Sequence, residues 1–260
     1  MAGPVVLRPV RTGILPCKIC GGNSVLFDVA DFHKSCEENR GLYFARTGVA
    51  VYYRRCMICG FIFTDAFDDW TPDIFHALIY NDQYIKVDPD YLESRPRGNA
   101  EWLGKIFDPN KDWLRMLDWG GGNGMLASLL REAGYAHAET YDPFTPAFAA
   151  PRTDTFNVVT SFETLEHLPD PLGGIAAMAA RVAEPGVAIF TTLLQPADIE
   201  TQRINWWYAA PRNGHVSLFS KNALTRAWQS QGFQLTSLND VVHIAYRQLP
   251  DFFPRRTGPA

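Results

Sequence analysis

The chain has 260 residues, of which 47% are apolar and 20% charged, and its 24 basic and 28 acidic side chains leave a net charge of −4. This is an ordinary globular composition, long enough for one sizeable core plus a small accessory domain. The acidic balance offers no bulk attraction for nucleic acid or an anionic membrane, and no apolar run approaches the ~18 residues of a membrane-spanning helix.

Met1 to Pro16 carries Arg8 and Arg11 but no long apolar core. It makes a poor signal peptide, so a cytoplasmic setting is expected. Two Cys-x-x-Cys-Gly knuckles follow, Cys17-Lys18-Ile19-Cys20-Gly21 and Cys56-Met57-Ile58-Cys59-Gly60. A two-residue spacing lets both thiolates of a pair face one tetrahedral ion, and the glycine permits the tight turn. Cys17, Cys20, Cys56 and Cys59 together supply four sulfurs, the donor set of a closed structural zinc site. Two disulfides or a redox pair are the alternatives. Disulfides are disfavoured in a chain without an export signal, and a redox pair normally comes singly. The 35 residues from Gly21 to Arg55 exceed the usual spacer of about 15–20, so they must contain a hairpin or inserted loop. Val49 to Arg54 and Phe61 to Thr64 read as ribbon strands. Inside the loop, Cys36 reads as a buried thiol and His33 as a surface imidazole.

Phe67 to Tyr91 is rich in Trp, Phe, Tyr and Asp. Tyr80, Tyr84 and Tyr91 form either a lid or, as slightly favoured, a packed seam. Pro89 and Pro96 bracket a linker, and Asn99 to Phe107 reads as a helix. Leu117-Asp118-Trp119-Gly120-Gly121-Gly122-Asn123-Gly124 then reads as a buried strand end and a glycine turn that opens a helix, Met125 to Ala133. Alternate glycines let the backbone turn sharply and a ligand lie close against it. At the end of the first strand of an open α/β sheet, such a turn is where a nucleotide-like cofactor sits.

Ala138 to Tyr141 is a short strand ending in Asp142, 24 residues after Asp118. A carboxylate there is placed to accept ribose hydroxyls. Only 13 residues separate Asp142 from Phe156, and they include Pro143, Pro146 and Pro151. A third strand is hard to locate in so short a span, which leaves an adenine pocket open or closed by Phe144 or Phe148. Phe156 to Phe162 is an apolar strand running into Glu163-Thr164-Leu165-Glu166-His167-Leu168-Pro169-Asp170-Pro171. On a helical turn, Glu163, Glu166 and His167 would share one face. They could hold a divalent ion, or His167 could act alone as a base. Val187 to Thr192 reads as the next strand. Ile204 to Arg212 combines aromatic faces with Asn205 and Arg212, as a sugar or another flat polar acceptor would need. Trp206 and Trp207 cannot both point inward from a strand, so at least one is expected at the cleft. His215 follows, and Ser220 caps a helix starting at Lys221.

The Asp-x-Gly-x-Gly-x-Gly run, Asp142 and the Glu-x-x-Glu-His-x-Pro-Asp-Pro run occur in the order found in class I S-adenosylmethionine-dependent methyltransferases, which residues 95 to 240 resemble. That resemblance implies a Rossmann-like α/β fold with a small amino-terminal zinc ribbon. It divides the chain into a ribbon (1–66), an aromatic linker or lid (67–98) and a methyltransferase domain (99–260). It implies that Asp118, Gly120, Gly121, Gly122 and Gly124 hold the cofactor's amino-acid end and Asp142 its ribose, with Phe162 and Glu163 beside them. Zinc-ribbon leaders of this kind look like those of sugar-modifying methyltransferases and of some ribosomal RNA methyltransferases. Trp-Tyr-x-x-Pro-x-x-Gly-His-x-Ser also looks like a stretch of sugar and polysaccharide methyltransferases. Glu-x-x-Glu-His is similar to the metal-binding segment of ubiquinone-pathway O-methyltransferases and small-RNA 2′-O-methyltransferases. His167 and His215 are therefore the expected activators of the acceptor, supported by Glu163 and Glu166, with a second divalent ion among these four as an option. The expected reaction is O-methylation of a sugar, glycan or other small molecule. An RNA methyltransferase is the first rival, against which stands the lack of a basic stripe: Arg54-Arg55, Arg95-Arg97 and Arg255-Arg256 are short clusters. A non-catalytic binding module of the same fold is the second.

Overall fold

The computed structural model describes residues 5–254. Arg255, Arg256 and the first residues of the leader lie outside that range. The elements in chain order are β1 (Leu15–Pro16), β2 (Asn23–Asp31), β3 (Ala50–Cys56), β4 (Ile62–Phe63), α1 (Pro72–Leu78), α2 (Ser94–Phe107), β5 (Arg115–Trp119), α3 (Met125–Glu132), β6 (His137–Tyr141), β7 (Phe156–Phe162), α4 (Pro171–Ala179), β8 (Val182–Thr191), α5 (Ile199–Gln202), β9 (Ser217–Leu218), α6 (Lys221–Gln229), β10 (Gln234–Ser237) and β11 (Val242–Tyr246).

Six strands form one mixed sheet in the order β10-β11-β8-β7-β5-β6. β6, β5, β7 and β8 run parallel, whereas β11 and β10 are antiparallel additions at one edge. The central strands β5 and β7 are nearly continuous buried runs, as expected of parallel strands covered on both faces. This is the Rossmann-like α/β sheet that the sequence resemblance implies. Between β6 and β7 the chain forms only turns and irregular backbone, so β6 is the sheet edge. The three prolines of this span cannot donate to a ladder or sustain a helix.

Two elements begin earlier than their sequence pattern suggests. α2 starts at Ser94 and carries Pro96 in its first turn, where backbone N–H groups have no helical partner and proline costs little. β8 starts at Val182, and its pairing with β7 skips from Val182 to Val187. Glu184, Pro185 and Gly186 thus sit in an irregularity where a missing donor is tolerated. α6 begins as expected, with Ser220 Oγ accepting from Ala223 N at 3.0 Å.

The amino-terminal strands form a second, antiparallel sheet in the order β1-β2-β3-β4-β9. Its last strand, β9, comes from the carboxyl-terminal half of the chain. Phe61 and Phe63 beside the second knuckle share an apolar cluster with Leu165, Phe219, Trp228 and Leu117. A second cluster joins Val51, Tyr53, Phe67, Phe75 and Tyr84 to Trp206 and Tyr208. The aromatic run after the ribbon therefore packs as a seam at Tyr84, which is buried, while Tyr91 at its end is half-exposed. No helix among the described residues is long and apolar enough to cross a membrane.

Candidate active site

The glycine turn sits at the carboxyl end of β5. Gly120, Gly122 and Gly124 have φ of 76°, 55° and 77°, the left-handed region that side chains resist. A Cβ on Gly120 would meet Thr164, one on Gly121 would meet the Asp118 carboxylate, and one on Gly124 would meet the Phe148 ring. The Tyr141 carbonyl accepts from Gly120 N at 2.8 Å and Gly121 N at 3.2 Å. A cavity of about 340 Å³ opens beside the turn, lined in part by Arg97, Asn123, Gly124 and Ser128.

Asp118 lies beneath this turn and accepts from Thr160 Oγ1 at 3.0 Å. Burial raises its pKa to about 7, with the nearby Asp142 charge adding to the effect. Asp142 Oδ2 accepts from Gly122 N at 2.9 Å and its Oδ1 from Phe144 N at 2.8 Å. Its carboxylate thus ties the two turns at the ends of β5 and β6 together, and each oxygen keeps a further lone pair for a hydroxyl. The Phe162 ring at the end of β7 lies 6.4 Å from that of Trp102 on α2.

Beyond β7 the expected helical face does not form. Glu163 takes a left-handed backbone with φ of 50°, a strained state for a residue with a side chain. Only Leu165–His167 makes a 3-10 turn. Glu166 and His167 are instead joined by His215, and one ligand atom from each lies within 4.8 Å of the others. Glu163 stands outside this trio. The His167 and His215 rings are 4.9 Å apart, and His167 Nε2 lies 3.9 Å from Glu166 Oε1.

Tyr208, read from the sequence only as part of an aromatic face, organises the cluster. Its hydroxyl donates to Glu166 Oε1 at 2.7 Å and lies 3.3 Å from Glu163 Oε2. Its carbonyl lies 2.8 Å from His215 Nδ1. A carbonyl only accepts, so Nδ1 carries the proton and Nε2 is left as the free lone pair. Tyr53 OH donates to the His215 carbonyl at 2.7 Å. Cys36 Sγ lies 3.8 Å from His215 Nδ1, so the half-buried thiol borders the site. Its spacing in the sequence carried no sign of this.

Burial dominates the electrostatics. It pushes Glu163 up to about 7, helped by the Glu166 charge, and raises Glu166 as well. It lowers His167 to about 4 against the pull of Glu163, and it depresses His215, to which His167 adds. Both imidazoles are therefore neutral at pH 7. Glu166 Oε2 and His167 Nδ1 are buried without a hydrogen-bond partner.

Other expected acceptor contacts are placed differently. Trp206 is buried and Trp207 is 37% exposed, from turns rather than a strand. Asn205 is exposed. Arg212 is buried, donating to the Ile79 carbonyl at 3.1 Å, and so braces the seam. The Phe144 ring lies tilted against Tyr80 at 5.3 Å, and Tyr80 packs edge-on against His167 at 6.0 Å.

The four knuckle cysteines converge at the other end of the ribbon, with all sulfurs within 4.8 Å of one another. Cys17 and Cys59 are 3.6 Å apart and Cys20 and Cys56 3.5 Å. Those spacings are far from an S–S bond and close to the edge of a tetrahedron with Zn–S of about 2.3 Å. Backbone N–H groups of Ile19, Ile58 and Cys59 point at the sulfurs, which favours thiolates. The geometry can hold a tetrahedral metal.

The family model for a methyltransferase domain matches residues 91–238. The chain belongs to this methyltransferase family. It is an enzyme of methyl transfer, with S-adenosylmethionine as the donor. No curated relative matches the methyltransferase. Among solved structures it is similar to magnesium protoporphyrin IX methyltransferase from Synechocystis PCC 6803 (15% identity, 61% of this chain and 84% of that chain covered, TM-score 0.44). It is also similar to Streptomyces venezuelae DesVI (16% identity, 66% and 98% covered, TM-score 0.45). A third is an O-methyltransferase from neocarzinostatin biosynthesis (16% identity, 63% and 59% covered, TM-score 0.38).

Proposed function

We propose that this methyltransferase acts on a hydroxyl of a small molecule, with a sugar or glycan as the favoured class. The observation that carries the reading is the buried convergence of Glu166, His167 and His215 where β7 ends. Methyl transfer is an in-line displacement that needs the acceptor atom about 3 Å from the methyl group. The sulfonium is already activated, so the protein must supply position and a destination for the hydroxyl proton. In this reading the neutral His215 takes that proton at Nε2, held in register by the Nδ1 contact to Tyr208. His167 is the second imidazole on the same face. Asp118, Gly120, Gly121, Gly122 and Gly124 hold the cofactor's amino-acid end and Asp142 its ribose, with Glu163 alongside.

One structural metal belongs to this reading, and a second is the alternative to base catalysis. Cys17, Cys20, Cys56 and Cys59 hold a structural zinc ion, and their tetrahedral spacing supports this. In place of that base role, Glu166, His167 and His215 could hold a divalent ion, with Glu166 Oε2 buried and without a hydrogen-bond partner. Such an ion lowers the pKa of a hydroxyl bound to it. Mixed carboxylate and imidazole donors suit manganese, cobalt or iron at least as well as magnesium. Residues 1–66 act as the ribbon, 67–98 as the seam and 99–260 as the transferase domain, with β9 shared between the first and last. A cytoplasmic setting fits cysteines that must stay reduced.

The test is incubation with labelled S-adenosylmethionine and cell extract fractionated into nucleotide sugars, polysaccharide and RNA. Label entering a sugar-bearing fraction supports the reading. Label confined to RNA overturns it.

A further inference from the structure

Lys18 lies between the first two cysteines, yet its ammonium does not face solvent. Its side chain is 15% exposed. Nζ donates to the Thr64 carbonyl at 3.0 Å, to the Asp68 carboxylate, and to the Pro169 carbonyl at 2.9 Å. An ammonium has three donors, and all three are used. Pro169 stands two residues after His167, on the loop that leaves the active site.

That loop is held at two further points by the segment that runs into β9. Val216 N donates to the Glu166 carbonyl at 2.9 Å, and Ser217 Oγ donates to the Leu168 carbonyl at 2.7 Å. Ser217 belongs to β9, which pairs with β4 immediately after the second knuckle. His215 directly precedes β9, and its carbonyl is held by Tyr53 of β3. The anchors on the carbonyls of Glu166, Leu168, Pro169 and His215 come from β3, from β9 and the residue before it, and from the first knuckle. The glycine turn is instead held by the Tyr141 carbonyl at the end of β6, and Asp142 by Gly122, Phe144 and Phe148 of the adjoining turns.

We infer that Lys18 is a positioning residue of the acceptor site: its ammonium couples the cysteine centre to the Glu166–Pro169 loop, and so the ribbon sets the geometry of His167 and His215 but not of the cofactor pocket. This rests on the proposed role of the two histidines. A long, flexible lysine is suited to the task because three acceptors, Thr64 and Asp68 after β4 and Pro169 after His167, meet at one point, a geometry a planar guanidinium does not match. Displacement of a reacting group by about 1 Å costs on the order of 10²-fold in rate, so a loosened loop is expected to be felt in turnover.

The experiment uses the full chain with histidine imidazoles isotopically labelled, and compares wild type with Lys18→Met by NMR. The chain has six histidines, and His167→Gln and His215→Gln assign the two signals of interest. His243, buried on the cofactor sheet between Ser237 and the Thr192 carbonyl, is the internal reference. The expected result is displaced or broadened His167 and His215 signals with His243 unmoved. Cofactor affinity should stay within about twofold, as for distant independent sites. Metal content should stay equal to wild type, and label transfer to the acceptor fraction should fall by roughly 10- to 100-fold. Unmoved His167 and His215 signals, or equal disturbance of His243 and cofactor affinity, overturn the inference. If Lys18→Met does not fold, Lys18→Arg takes its place: the charge stays but the three-way donation is lost, and the same two signals must move. If His167→Gln and His215→Gln both transfer methyl groups normally, the functional reading falls instead, whatever Lys18 does.

Discussion

The hydroxyl of Tyr208 donates to Glu166 Oε1 at 2.7 Å while the carbonyl of the same residue lies 2.8 Å from His215 Nδ1. One residue therefore orients a carboxylate from the β7 loop and an imidazole from the segment before β9. Its ring also lies 4.2 Å from that of His215. Tyr208→Phe keeps the ring and the carbonyl but leaves Glu166 with neither oxygen bonded to a side chain. The loss of a buried partner costs about 1–3 kcal/mol. The expected outcome is a lower denaturant midpoint and reduced turnover with unchanged cofactor affinity.

His167→Ala and His215→Ala are each expected to reduce turnover by roughly 10²–10⁴-fold, the usual value of a general base. Cofactor affinity should be nearly unchanged, because neither ring touches the glycine turn. Equal loss of cofactor binding in calorimetry would make both residues structural.

Asp118 gives a pH dependence of definite sign. Its folded pKa of about 7 exceeds the ordinary carboxylate value of 3.8, so the folded state binds more protons than the unfolded state between those values. Stability contributed by this group is therefore full below about pH 4 and is lost as the pH rises through about 7. Asp118→Asn removes that slope. Urea midpoints of wild type and variant should differ most, in favour of the variant, at pH 8. A parallel pair of curves from pH 4 to 8 would contradict the assignment.

Gly124 holds a left-handed backbone, and a Cβ there would strike Phe148. Gly124→Ala is expected to cost about 1–2 kcal/mol from the backbone alone and to displace the loop that carries Phe148. Cofactor affinity should fall while the His167 and His215 environment stays intact, which calorimetry and the imidazole signals together would show.

Removal of metal from the cysteine centre should loosen the two knuckles that its four sulfurs tie together, while the strands that share a core with the carboxyl-terminal half stay packed. One zinc per chain is expected by elemental analysis. Cys59→Ser should lower that content and, through β4 and β9, turnover, more than it lowers cofactor affinity.

Local chemistry made much of the methyltransferase legible before folding. The Gly120 to Gly124 turn, the strand from Phe156 to Phe162, the Ser220 cap and the paired knuckles each depend on neighbours in the chain, and short-range sterics, hydrogen bonding and thiol spacing determine them. The short spacing after Asp142 likewise signalled that no further strand forms between β6 and β7, which leaves β6 at the sheet edge. Helix periodicity misled at Glu163, because the left-handed backbone there breaks the face that would have joined it to Glu166 and His167.

What the tertiary structure decided are the long-range meetings: Tyr208 with Glu166, Cys36 with His215, Lys18 with Pro169, and β9 with β4. These pairs are 42, 179, 151 and about 155 residues apart. No local pattern encodes them, since each arises only when two sheets bury a common apolar core and bring their polar groups to one interface where partners must be found.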